Sequence, residues 1–264
     1  MRHLITTDIH GQYDELVLAL ENARYDEATD KLILLGDCID RGRQSREVLD
    51  YLAGLRERQR DVEFVRGNHE DILWAFLEGR PAALRSWLDT CRGLTLLHSY
   101  RYDPARLAFA GERVWADGEE IKTRDDAKAF LLTVMPERHL AVVEAMRRYR
   151  VVMPHGLWGN LFCCHAGLMH QVRTRETPQW LLCWGDAAWE TGRSADYQPI
   201  TVYGHWHQQI HPLVSFKRIC LALEFAVAVL VPEEAAIVTS DGLCSALHNP
   251  SNVECIIMRR KGSY

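Results

Sequence analysis

Five short polar clusters hold the side chains of this chain best suited to chemistry. Asp8 and His10 lie in Thr7-Asp8-Ile9-His10-Gly11, and Asp37, Asp40 and Arg41 in Gly36-Asp37-Cys38-Ile39-Asp40-Arg41-Gly42. Asn68 and His69 lie in Gly67-Asn68-His69-Glu70, His165 in Cys163-Cys164-His165-Ala166-Gly167, and His205 and His207 in Gly204-His205-Trp206-His207. Oxygen donors mixed with imidazole, without a thiolate in a ligand pattern, suit Mn²⁺, Fe or Zn²⁺ better than Cu(I) or an iron–sulfur cluster. Two such cations about 3.5–4 Å apart activate a bridging hydroxide and clamp phosphoryl oxygens for in-line attack. In an extended segment residues two apart point the same way, so Asp8 and His10 are expected to face one cation, as are His205 and His207. Asp37 can bridge two cations with its two oxygens. Arg41 offers a planar fork to phosphate oxygens, and Asn68 offers an amide oxygen. His69 can stand outside the metal sphere and protonate a leaving group, held charged and oriented by a carboxylate such as Asp40. Each cluster alone has a blander reading as a helix cap, a turn or a surface ion pair; five together at strand ends do not.

The elements around the clusters explain how they could converge. Arg2 to Thr7, Lys31 to Leu35 and Val62 to Val65 read as strands. Gln12 to Arg24 and Arg43 to Arg58 carry apolar residues at helical spacing between them. This β-α-β-α-β order belongs to a mostly parallel sheet covered by helices. From 71 to about 150 the pattern turns largely helical, with helices expected at Asp71 to Gly79, Ala82 to Thr90, Thr123 to Val134 and Glu137 to Tyr149. That block reads as a helical cap inserted into a single 1–264 domain, shaping access to a site it does not itself supply. Its Trp74, Trp87 and Trp115 could stack on a base, though helical spacing favours core. Strands return at Val151 to Met153, Leu161 to Cys164 and Thr201 to Tyr203. Leu213 to Met258 reads as antiparallel hairpins closing a second sheet, with turns at Pro232-Glu233-Glu234 and Ser240-Asp241-Gly242.

Composition narrows the class. With 264 residues, 47% hydrophobic and 25% charged, the chain is long enough for a sizeable core. A net charge of −5 argues against nucleic acid held by bulk charge. No apolar run reaches the length of a membrane span, and the first residues run straight into a strand, so a cytoplasmic, membrane-free protein is expected. Eight cysteines without a CxxC read as reduced, buried thiols. Cys38, between Asp37 and Asp40, raises the question of redox sensitivity.

The motif strings resemble the calcineurin-like metallophosphoesterase superfamily, and within it the phosphoprotein phosphatases and the bacterial symmetrical bis(5′-nucleosyl)-tetraphosphatases. The resemblance covers Met1 to Glu70 and Leu161 to about Gln208. It implies an α/β fold, a two-sheet β-sandwich flanked by helices, with two divalent cations, Mn²⁺ first, at the strand ends. It implies that Asp8 and His10 bind the first metal, that Asp37 bridges both, and that Asn68, His165 and His205 bind the second. His69 would be the general acid paired with Asp40, and Arg41 would hold phosphate. His207 joins as a first-metal ligand because His-x-His closes the pattern in the wider superfamily. Thr7 stands where glycine is usual. The second phosphate-binding arginine of protein phosphatases is missing after Trp184-Gly185-Asp186, with Arg173, Arg175 or Arg193 as substitutes. The implied activity is phosphoester hydrolysis by direct attack of a metal-bound hydroxide, first on phosphoserine or phosphothreonine proteins, alternatively on a dinucleoside polyphosphate such as diadenosine tetraphosphate. A binding module that has lost the chemistry would lack a ligand or the acid, and none is missing.

Overall fold

The strands leading into the clusters have apolar residues on both faces, as in Leu32-Ile33-Leu34-Leu35 and Leu161-Phe162-Cys163-Cys164. Such strands need cover on both sides, which the fold supplies with two sheets face to face and helices outside. A computed structural model describes residues 2–58, 60–146, 149–155, 159–192, 194–206, 213–215, 218–221, 227–231, 234–238, 243–248 and 254–259.

The opening unit is β1 (His3–Thr6), α1 (Tyr13–Asn22), β2 (Lys31–Leu34), α2 (Ser45–Glu57) and β3 (Val62–Phe64). Its strands pair in parallel, His3 opposite Lys31 and Leu32 opposite Val62. There follow α3 (Asn68–Leu77), α4 (Ala82–Thr90), α5 (Leu94–Ser99), β4 (Leu107–Ala110), β5 (Arg113–Ala116), β6 (Glu119–Ile121), α6 (Arg124–Val134) and α7 (Glu137–Ala145). The second half contributes β7 (Arg150–His155), β8 (Gly159–Cys164), α8 (Gln179–Trp184), α9 (Ala187–Thr191), β9 (Thr201–Tyr203), β10 (Leu213–Ser215) and β11 (Arg218–Cys220). It closes with β12 (Val227–Val231), β13 (Glu234–Val238), β14 (Leu243–His248) and β15 (Glu254–Arg259). One sheet runs β15-β14-β13-β12-β1-β2-β3 and the other β10-β11-β9-β8-β7.

Alternation along each strand sorts the core. Ile5, Ile33, Leu35 and Val65 face Val151, Met153, Leu161, Cys163, Val202 and Ile219 across the sandwich. The intervening Leu4, Leu32, Leu34 and Phe64 turn outward under the helices. On the far side Phe162, Cys164, Tyr203 and Cys220 pack against Leu182 and Trp189 from α8 and α9.

One expectation changes, and a second holds with an addition. The C-terminal hairpins do not all close the second sheet. Only β10 and β11 join it, while β12 pairs antiparallel with β1 and carries β13 to β15 onto the first sheet. Strand periodicity reads which residues share a face but not which free edge accepts the strand. The 71–150 block is also not purely helical: β4, β5 and β6 form a small antiparallel sheet within it. Its Asp117-Gly118 turn, both residues at positive φ, is a hairpin signal that the helical pattern on either side obscured. The block is packed into the core: Phe76, Trp87, Leu97, Phe130 and Val142 belong to the same buried cluster as Leu4 and Leu32. The turns at 232–233 and 240–242 lie outside the described residues.

Candidate metal centre

The loops after β1 and β2 are laced to each other by backbone hydrogen bonds. Asp8 N donates to the Gly36 carbonyl at 3.1 Å, His10 N to that of Asp37 at 2.8 Å and Gly42 N to that of His10 at 2.8 Å. Such lacing folds the chain tightly: Asp8, His10, Asp37, Asp40, Arg41 and His205 all have φ between 46° and 69°. That left-handed region costs a side-chain-bearing residue about 1–2 kcal/mol and persists only where the surroundings over-determine it. Asp8 and His10 therefore meet because two loops interlock, not because an extended segment alternates.

Asp37 lies at the centre, 1% exposed. Its Oδ2 is 3.5 Å from His10 Nε2, 3.7 Å from His69 Nε2 and 3.4 Å from His165 Nε2. Its Oδ1 accepts from the His69 backbone N–H at 3.1 Å. A Cβ on Gly67 would fall 2.2 Å from that Oδ1, so only glycine fits there.

Donor atoms gather on both sides of Asp37. On one side, His10 donates from Nδ1 to the Ile39 carbonyl at 3.2 Å, which turns Nε2 toward Asp37 and toward Asp8 Oδ1, 3.8 Å away. Asp8 Oδ2 accepts from Thr7 Oγ1 and from the His205 backbone N–H, each at 2.8 Å. Asp8 Oδ1 is buried with no hydrogen-bond partner among the described residues. On the other side, His165 donates from Nδ1 to the Leu35 carbonyl at 2.7 Å, aiming Nε2 inward. Asn68 Oδ1 lies 3.1 Å from that Nε2 and 3.0 Å from His205 Nδ1, and the two nitrogens are 3.2 Å apart. A stranded carboxylate oxygen and imidazoles anchored at their far nitrogens form a donor set shaped for cations.

The electrostatics agree. Burial drives His10 down to about 4, against Asp37 and Asp8, so it presents a neutral ring. Burial works against the charge on Asp37, yet the His165 and His69 imidazoles hold it well below the usual carboxylate range. Burial likewise opposes charge on His165, but Asp37 lifts it to about 9. A buried anionic centre that draws protons onto imidazole attracts divalent cations by the same field, the cation competing with the proton for nitrogen.

His69 lies on the His10 side of Asp37, its ring 4.6 Å from that of His10 and its Nε2 near enough to His10 and Asp37 for the three to hold one ion, but its other nitrogen is committed elsewhere. Its Nδ1 is 2.8 Å from Asp40 Oδ2, and Asp40 is fully buried. Burial lowers and Asp37 and Asp40 raise His69, with a net rise, while burial pushes Asp40 up to about 6. Arg41 is exposed beside the centre, and its charge bears on His10. His207 and Arg193 lie outside the described residues. Arg173 and Arg175 are exposed, Arg175 paired with the adjacent Glu176 at 3.8 Å. Asp186, which follows Trp184-Gly185, caps α9 through Ala188 N. Among the described residues Cys38, Cys91, Cys163, Cys164, Cys183 and Cys220 are buried thiols outside any disulfide. Burial raises the Cys38 thiol well above its ordinary range, so native protein is expected to leave Cys38 unmodified by a thiol-alkylating reagent, read by mass spectrometry of its peptide. No helix among the described residues is long and apolar enough to cross a membrane.

Three neighbours of the centre have roles that their residue types alone did not show. Thr7 replaces the family glycine with a hydroxyl bound to Asp8. Trp87 donates from Nε1 to Asp40 Oδ2 at 2.8 Å. Glu70, fully buried, accepts at Oε1 from Cys38 N (2.7 Å) and Ile39 N (3.4 Å) and at Oε2 from Asp37 N (2.8 Å) and Gly67 N (3.1 Å). One carboxylate thus fixes the turn that presents Asp37. Glu70→Gln turns an amide NH₂ onto two of those donors and is expected to lower stability by about 1–3 kcal/mol for each stranded group, measured by urea unfolding. The GNHE string contained this signal: Glu70 is the third residue of α3, positioned to reach back to N–H groups before the helix.

The calcineurin-like phosphoesterase family model matches residues 1–227, and the chain belongs to that family of metal-dependent phosphohydrolases. Among characterised relatives, the asymmetrical bis(5′-nucleosyl)-tetraphosphatase PrpE of Bacillus subtilis is 35% identical over 98 residues, covering 34% of this chain and 40% of that protein. The symmetrical bis(5′-nucleosyl)-tetraphosphatase of Klebsiella pneumoniae is 43% identical over 72 residues, covering 27% of this chain and 24% of that protein. The matches thus span less than half of either relative. A cold-active protein tyrosine phosphatase shares the fold with a TM-score of 0.55 at 16% identity, covering 96% of this chain and 80% of that one. A putative diadenosine tetraphosphatase does so with a TM-score of 0.51 at 15% identity, covering 99% and 95%.

Proposed function

We propose that residues 1–264 form one catalytic unit, a two-metal phosphohydrolase acting on a dinucleoside tetraphosphate. The observation that carries the chemistry is Asp37, buried between two donor sets that share only its carboxylate. Asp8, His10 and Asp37 would hold one cation, with His207 as the remaining candidate, and Asp37, Asn68, His165 and His205 the other. Mn²⁺ suits this oxygen-and-imidazole mixture, with Fe and Zn²⁺ as alternatives. Such a pair supplies a nucleophile at neutral pH and offsets charge on the phosphoryl oxygens.

The chain's own groups do the rest. Arg41 binds a phosphate oxygen through its fork. Asp40 accepts from His69 Nδ1, which fixes the ring and leaves Nε2 facing Asp37 to deliver a proton to the departing oxygen. Thr7 holds Asp8 Oδ2 and so steers Oδ1. Thr7→Val should weaken binding at the first site about 10–100-fold while Thr7→Ser leaves it near normal, read by Mn²⁺ equilibrium dialysis.

The substrate reading rests on the relatives, both named as bis(5′-nucleosyl)-tetraphosphatases. It displaces the phosphoprotein reading favoured by the motif strings. The test is hydrolysis of diadenosine tetraphosphate by chelated and Mn²⁺-reconstituted protein, with products separated. The proposal expects turnover only after reconstitution, ADP alone marking symmetrical cleavage and ATP with AMP asymmetrical cleavage. A reconstituted protein that hydrolyses a phosphothreonine peptide in preference would contradict it.

A further inference from the structure

The inserted block reaches beneath the centre at Trp87. Trp87, on α4, is fully buried, and its indole N–H donates to Asp40 Oδ2, the same oxygen that His69 Nδ1 approaches, both at 2.8 Å. Two donors converging on one oxygen fix the carboxylate plane, which a single bond would leave free to turn; Asp40 Oδ1 has no hydrogen-bond partner among the described residues to do so instead. The indole is in turn set by Gly93, just before α5. A Cβ there would lie 2.4 Å from Trp87 Cε2 and 2.6 Å from Cδ2. Gly93 has φ −59° and ψ −16°, which any residue can adopt, so glycine is present for the ring and not for the turn.

We infer that Trp87, backed by Gly93, is a positioning residue for the proton-donating pair, and that the insertion serves the reaction by bracing Asp40 from below as well as by any cover it gives. The chain of support runs from Gly93 to the Trp87 ring, from its N–H to Asp40, and from Asp40 to His69. It reaches the metal donors only through His69, and neither Trp87 nor Gly93 bonds to a donor among the described hydrogen bonds, so the loss of either should leave metal content alone. The inference rests on the proposed role of His69 as acid, and the test separates the two.

The experiment compares wild type, Trp87→Phe, Gly93→Ala, His69→Asn and the Trp87→Phe/His69→Asn double variant, all Mn²⁺-loaded, on diadenosine tetraphosphate and on p-nitrophenyl phosphate. Trp87→Phe keeps most of the ring volume and removes the N–H. Gly93→Ala keeps the N–H and displaces the ring, so it serves as a second variant if the first folds poorly. Each is expected to lower kcat about tenfold, with KM and bound Mn²⁺ unchanged, a transition-state loss without a binding loss. In the His69→Asn background, Trp87→Phe should cost less than about twofold, because residues acting as one unit are not additive. Deficits that multiply in the double variant, or unchanged kcat in both single variants, would overturn the inference while leaving His69 as acid. A normal kcat in His69→Asn, or wild type inert toward both substrates, would remove the reading beneath it, and the inference with it.

Discussion

Asp37→Asn should release both equivalents of Mn²⁺ and lower turnover by more than about 10³-fold, the scale set by losing several kcal/mol of charge stabilisation. The substitution is nearly isosteric and retains an oxygen to accept from His69 N, so the fold has little reason to fail. What it removes is the one negative charge that His10, His69 and His165 all approach within 3.7 Å. Asp8→Asn provides the contrast. Asp8 turns Oδ1 toward His10, and its tie to the other side is the His205 backbone N–H on Oδ2, which an asparagine oxygen can still accept, so that variant should keep one Mn²⁺ per chain where Asp37→Asn keeps none. Metal content by atomic spectrometry after gel filtration reads the difference; an Asp37→Asn protein retaining two equivalents would remove Asp37 from its bridging place.

His69→Asn should have a different signature: kcat down about 10²–10⁴-fold, as for loss of a general acid, with metal content and KM near normal. The geometry separates the two outcomes. His69 is anchored through Nδ1 to Asp40, a carboxylate without contact to Asp8, His165 or His205 among the described hydrogen bonds, while its Nε2 and its backbone N–H face Asp37. Titration with Mn²⁺ beside steady-state kinetics reads both quantities. Loss of an equivalent of metal in His69→Asn would make it a ligand instead.

Much of this was legible beforehand, for physical reasons that can be named. Strands with two apolar faces announce a doubly covered sheet, and β1, β2, β3 and β9 fall where their runs place them, within a residue or two. The five clusters assemble because each follows such a strand, and strand ends on the same side of a sandwich are neighbours. Less legible was anything depending on which distant edge or helix arrives. The attachment of β12 to β1 is a choice between free edges. The bond from Trp87 to Asp40 spans 47 positions, and at helical spacing a tryptophan looks like ordinary core, which it also is. Glu70 was visible within its motif, but its role depends on four N–H groups whose directions exist only once the left-handed turns at Asp37 and Asp40 have formed. The same turns explain why Asp8 and His10 approach each other without the alternation of an extended strand.

The central claim is that two metals share Asp37. Electron paramagnetic resonance of chain loaded with two equivalents of Mn²⁺ tests it most directly, since two ions bridged by one carboxylate are exchange-coupled and separate ions are not. The account predicts a coupled, multiline spectrum at two equivalents that is lost in Asp37→Asn. Two equivalents bound with the six-line spectrum of isolated Mn²⁺, or saturation at one, would contradict it.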